Sequence, residues 1–147
     1  MTESAVKLVA PLTFQSLTKN KVHTDMFAEI AVSEIKQISL AQKAYLCVIA
    51  PTTANIIGKI ASGIADDMLS TTVMALATHK PVIICPAMNT AMYENPIVQA
   101  NIEKLKGYGY QFVDPKESRL ACGDLGKGAL ADVDAIVAAV KSAIGEV

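Results

Sequence analysis

Residues 45–55 read "YLCVIAPTTAN", and the fold turns on where that stretch divides. "YLCVIA" (45–50) is a short apolar run with β-branched residues, stopped by a proline and two threonines. Strands buried on both faces of a parallel sheet have this character. "PVIIC" (81–85) repeats it, and "YQFV" (110–113) follows the break at Gly107–Gly109. Between these runs the apolar spacing becomes helical. Residues 54–78 hold two helices around the Gly63–Asp67 region. A helix over 96–106 opens with Asn95 as cap and Pro96 at its first position, and aligns Val98, Ile102 and Leu105. A last helix begins at Asp132 and places Val133, Ile136, Val137, Val140 and Ile144 at helical spacing. Strands alternating with helices predict a three-layer α/β fold with a parallel sheet. No linker, repeat or low-complexity segment interrupts the pattern, so residues 1–147 read as a single domain.

In such sheets the ligand crevice lies beyond the carboxyl ends of the strands. After 45–50 comes "PTTAN", after 81–85 comes "PAMN", and after 110–113 comes the segment "RLACGDLGKGAL" (119–130). These three polar segments are expected to converge on one edge.

Composition narrows the chemistry. At 147 residues and 52% hydrophobic, the chain has ample apolar material for a core. A net charge of −1 gives no basic footprint, and 5% aromatics without tryptophan give no base-stacking platform, so no nucleic-acid partner is expected. Cys47, Cys85 and Cys122 show no CxxC spacing and are odd in number, which fits a reduced, cytoplasmic setting. No basic-then-apolar signal region opens the sequence. The longest uncharged run, residues 44–58, contains Pro51, Thr52, Thr53 and Asn55, and is too short and polar to span a bilayer, so no membrane partner is expected.

Each polar segment admits a chemical and an architectural reading. Thr52, Thr53 and Asn55 at a strand-to-helix turn suit an anionic or carbonyl-rich ligand; they serve equally as helix caps. Asp66 and Asp67 precede a helix they are able to cap. The Asn89 amide suits a carboxylate, or a simple turn. Met88 and Met92 read as packing. Cys122 lies in the glycine-rich stretch, where neighbouring backbone N–H groups are able to lower a thiol pKa or position it as an acid, the alternative being a loop cysteine without a role. Cys47 and Cys85 sit inside strands as core filler. His23 and His79 have no second ligand at metal spacing, so no metal site is expected.

Taken together, "IAPTTANIIGKIASGIADDMLSTT" (49–72), "PAMNTAMYENP" (86–96) and "ACGDLGKG" (121–128) closely resemble the flavin-containing cysteine decarboxylases, on their bacterial phosphopantothenoylcysteine branch. The resemblance runs over nearly the whole chain; "GAL" at 128–130 stands where Gly-Arg-Met is commoner. It implies a Rossmann-like, flavodoxin-like subunit that binds FMN and assembles as a homotrimer or dodecamer with interface active sites. The implied reaction decarboxylates 4′-phosphopantothenoylcysteine, a phosphorylated small molecule, to 4′-phosphopantetheine in coenzyme A biosynthesis. The substrate's cysteine end is oxidised to a thioaldehyde, carbon dioxide leaves to give an enethiolate, and a proton and a hydride are returned. By motif, Asn89 holds the substrate carboxylate and Cys122 donates the proton. Thr52, Thr53 and Asn55, with Asp66 and Asp67, line the flavin. Met92, Ala121, Gly123, Asp124, Gly126 and Gly128 contact the substrate, with loop 123–128 closing over it.

Two departures qualify what the resemblance implies. Family members begin with a strand, a Gly/Ser-rich turn that grips the FMN phosphate, a helix and a second strand. This chain starts after that unit of roughly 30 residues, so the usual first strand and helix are expected to be absent. Gln37 occupies the family's histidine position, and an amide does not take up a proton near neutral pH. The alternative implied is a non-catalytic or regulatory subunit of a decarboxylase trimer.

Overall fold

The computed structural model describes residues 1–27, 36–76, 78–119 and 125–145. In chain order the elements are α1 (Glu3–Leu8), α2 (Pro11–Thr18), α3 (Lys36–Lys43), β1 (Cys47–Thr52), α4 (Ala54–Ala61), α5 (Met68–Met74) and β2 (Val82–Pro86). They continue with α6 (Thr90–Tyr93), α7 (Pro96–Gly107), β3 (Gln111–Phe112), β4 (Lys116–Arg119), β5 (Leu125–Ala129) and α8 (Val133–Ile144). They form two compact units, residues 1–43 with 64–77 and residues 44–63 with 78–147.

In the second unit, β1, β2 and β3 make a parallel sheet in that order, with Ile49 opposite Ile84 and Ile83 opposite Gln111. The middle strand β2 is buried along its whole length, which explains its unbroken apolar sequence. α8 packs on β2, and α4 packs on α7. α4 contributes Ile56, Ile57, Ile60 and Ala61, and α7 contributes Ile102 and Leu105. A fully buried aliphatic side chain such as Ile57 or Leu105 contributes about 1.5–3 kcal/mol relative to exposure. α7 begins where its sequence directs: Asn95 Oδ1 accepts from the Ile97 amide at 2.9 Å, and Pro96 takes the first helical position. The α/β, Rossmann-like and flavodoxin-like expectation therefore holds.

Two local expectations change. The strand read as 45–50 runs from Cys47 through Pro51 to Thr52. The register with β2 slips between Ile49 and Thr52, an irregularity of the kind at which a residue without an N–H is tolerated. The stretch 123–128, read as a loop, is partly a strand. Residues 125–129 form β5, antiparallel to β4, with Glu117 opposite Lys127 and Ser118 opposite Gly126. Its glycines let the strand lie against the turn after β2.

In the first unit, α3 and α5 pack together and bury Ser39, Ala41, Met68, Ser70 and Val73. α1 and α2 bury no residue, and Leu8, Leu12 and Leu17 are exposed.

Candidate active site

The carboxyl edge of the sheet in the second unit is tied together by backbone hydrogen bonds. The Ala87 amide, just past β2, donates to the Thr52 carbonyl at the end of β1 at 2.9 Å. The Met88 amide donates to the Gly128 carbonyl in β5, also at 2.9 Å. "PTTAN", "PAMN" and the "GKG" of β5 are thereby brought to one place, as the sequence order of strand and polar turn predicts.

Thr52 is fully buried, and its hydroxyl donates to the Ile49 carbonyl at 2.6 Å. Thr53 is the N-cap of α4, with its carbonyl accepting from Ile57 at 3.1 Å and its hydroxyl accepting from Ile56 at 3.5 Å. Thr53 and Asn55 are exposed at this helix start, where the first-turn amides have no intrahelical acceptor. Capping and ligand presentation are compatible here, because one hydroxyl satisfies only one of the open amides.

Asn89 is half-buried at the start of α6. Its Oδ1 accepts from the Ala91 amide at 2.9 Å, and its carbonyl accepts from Tyr93 at 2.9 Å. The amide is thereby oriented, with Nδ2 as its donor end. Met92 is exposed on α6. Gly126 and Gly128 face the 88–90 turn so closely that a side chain at either would collide. A Cβ on Gly126 would stand 2.4 Å from Thr90 Oγ1, and one on Gly128 would stand 2.2 Å from the Met88 carbonyl oxygen. On the same strand, Lys127 Nζ lies 5.7 Å from the centre of the buried Tyr93 ring and 3.4 Å from Asp114. Thr90 and Lys127 were not singled out by the sequence. The only prior signal was the Gly-x-Gly alternation at 126–128, which becomes meaningful once a strand and its neighbour are known.

Three predicted residues belong to the first unit. Gln37 lies on α3, and its Oε1 is buried with no hydrogen-bond partner. Asp67 caps α5: its Oδ1 accepts from Ser70 at 2.9 Å, while Ser70 Oγ accepts from the Asp67 amide at 3.1 Å. Asp66 and Asp67 border a groove of about 570 Å³ whose walls include Glu3, Lys7, Asp25 and Phe27. Ala121, Cys122, Gly123 and Asp124 lie outside the described residues.

Electrostatics separate the two described thiols from reactive chemistry. Burial pushes both Cys47 and Cys85 above the ordinary thiol value, which keeps them protonated and inert. Among the described residues, no group of three or more His, Cys, Asp or Glu is arranged to hold a metal ion, and no helix is long and apolar enough to cross a membrane.

A family model described as "Flavoprotein" matches residues 1–145. The bifunctional coenzyme A biosynthesis protein CoaBC of Bacillus subtilis is 53% identical over 137 residues, covering 93% of this chain and 33% of that protein. This chain thus spans about a third of that relative's length. A probable phosphopantothenoylcysteine decarboxylase of Streptococcus mutans is 46% identical over 137 residues, covering 93% of this chain and 76% of the relative. Among solved structures, a PPC decarboxylase mutant complexed with pantothenoylaminoethenethiol superimposes with a TM-score of 0.86 at 32% identity, covering 96% of this chain and 79% of the other. The FMN-dependent cysteine decarboxylase SpaF gives 0.84 at 34% identity, covering 99% and 76%.

Proposed function

We propose, from the premise that this chain belongs to the flavoprotein family, that it performs FMN-dependent decarboxylation of phosphopantothenoylcysteine to phosphopantetheine in coenzyme A biosynthesis. The observation that carries this reading is the backbone-linked convergence of Thr52, Ala87, Met88 and Gly128, which joins all three motif-bearing segments beyond the sheet.

The described residues fit a flavin at the start of α4. Thr53 and Asn55 offer a hydroxyl and an amide to carbonyl or phosphate oxygens, beside amides that a helix leaves open. When bound, FMN supplies a two-electron acceptor that takes and returns a hydride, so the overall reaction is redox-neutral. Asn89 presents Nδ2 to the substrate carboxylate, its Oδ1 being engaged by Ala91. In the net reaction the carbon–carboxylate bond breaks, carbon dioxide leaves, and one carbon–hydrogen bond forms with uptake of one proton. Cys122 is the assigned donor of that proton. Ala121, Gly123, Asp124, Gly126, Gly128 and Met92 form the substrate side, and Asp66 and Asp67 are assigned to the flavin. Thr52, assigned there by motif, supports the turn from inside with its hydroxyl engaged by Ile49.

We take residues 1–147 as one flavoprotein domain in a cytoplasmic homotrimer or dodecamer. Exposure of Leu8 at 85% and Leu17 at 76%, on helices that bury nothing themselves, supports an assembled state. A second reading, a non-catalytic or regulatory subunit of a mixed trimer, draws support from Gln37, whose Oε1 is buried without a partner and whose amide takes up no proton near neutral pH. One experiment separates them. Purified protein incubated with FMN is expected to show flavin absorption bands and to release carbon dioxide from phosphopantothenoylcysteine. Protein that releases no carbon dioxide, whether it binds FMN or cannot be reconstituted with it, would overturn the decarboxylase reading and favour the subunit.

A further inference from the structure

The geometry points to Thr90 as a positioning residue: its side chain occupies the volume that a side chain at residue 126 would take, and so seats β5 in one register on the 88–90 turn. Three observations meet here. A Cβ on Gly126 would lie 2.4 Å from Thr90 Oγ1, 3.0 Å from Cγ2 and 3.2 Å from Cβ, all side-chain atoms. The neighbouring contact is of another kind, because a Cβ on Gly128 would meet the Met88 carbonyl oxygen at 2.2 Å, which is backbone. Finally, Thr90 Oγ1 is buried and has no hydrogen-bond partner, so the side chain holds its place by shape.

Threonine suits a wedge. Two heavy atoms on Cβ restrict χ1, so the side chain does not swing aside as serine does. Next to it, the Met88–Gly128 hydrogen bond fixes the strand's height against the turn. β5 is paired with β4 from Glu117–Lys127 to Arg119–Leu125, so the seat at Gly126 sets the placement of the whole hairpin relative to Asn89. Residues 120–124, Cys122 among them, connect the two strands. The functional consequence rests on the decarboxylase reading above; the steric pairing does not.

The test is a cycle of variants read in two ways: the rate at which iodoacetamide alkylates Cys122, followed by peptide mass spectrometry, and kcat and KM for carbon dioxide release. Gly126→Ala is expected to change the Cys122 alkylation rate and kcat by about tenfold or more, as overpacked neighbours do. Adding Thr90→Ala to Gly126→Ala is expected to bring both back to within about threefold of Thr90→Ala alone, because the colliding atoms are gone. Gly128→Ala is the internal control: Thr90→Ala does not rescue it, since its obstacle is the Met88 carbonyl. A Gly126→Ala protein indistinguishable from wild type, or a double variant no better than Gly126→Ala, would overturn the proposal. If Gly126→Ala fails to fold, a folded double variant supports it and an unfolded one overturns it. If the wild type releases no carbon dioxide, the decarboxylase reading falls, while the alkylation cycle still decides the role of Thr90.

Discussion

Cys85 sits in the middle strand with no exposed surface, and Cys47 is half-buried at the start of β1. Desolvation raises both thiols above their ordinary value of 9.0. The sign of the linkage follows. Unfolded chains release these protons at lower pH than the folded protein does, so between the two values the folded state holds more protons and stability falls as pH rises. Stability from this source is complete below about pH 9 and declines above it. Cys85 is accordingly expected to resist iodoacetamide at pH 8 in the native protein and to react once urea unfolds it. Native-state labelling of Cys85 would contradict its assignment as core. Thr52 shows how one residue serves a site without facing it. Its hydroxyl is spent on Ile49, while its carbonyl receives Ala87 and draws the turn after β2 toward the end of β1.

The short helix α5 depends on its cap more than on its length. It has seven residues, too few to persist alone, and Asp67 and Ser70 satisfy each other's backbone amides at its start. Asp67→Ala is expected to destabilise the protein by about 1 kcal/mol in urea titration, whereas Asp67→Asn, which keeps an acceptor, should stay near wild type. If Asn were as damaging as Ala, the carboxylate charge would matter rather than the cap. The same pair of variants bears on the flavin assignment: capping predicts unchanged FMN affinity for Asp67→Asn, and loss of affinity there would give this aspartate a ligand role. The β4–β5 hairpin contrasts with α5, because nothing local announces it. Its second strand, "LGKGA", has no β-branched residue, and it is stabilised by cross-strand pairing and by the turn it rests on.

At the scale of the molecule, the proposed assembly is open to direct measurement. Light scattering is expected to return three times the 15.5 kDa chain mass, or twelve times if trimers associate further, and a monomeric value would remove the interface site. The apolar runs at 45–50 and 81–85 and the cap at Asn95–Pro96 were legible because burial and helix initiation leave local marks: β-branched clusters, period and capping chemistry. The polar turn after each strand followed from those marks, while the order β1-β2-β3 came from the structure. The end of β1 was misjudged because Pro51 reads locally as a stop, and only the register slip between Ile49 and Thr52 lets the strand run past it. The glycines at 126 and 128 looked like a mobile loop, since glycine signals freedom when its neighbours are unknown. The sequence alone thus determined the alternating α/β order and the segments that carry chemistry, because those depend on residues near one another in the chain. Tertiary structure decided that residues 125–129 of the glycine-rich segment form a strand, that Thr90 fills the space left by Gly126, and that Thr52 turns inward, because each of these is settled by steric exclusion or hydrogen bonding that the completed packing alone defines.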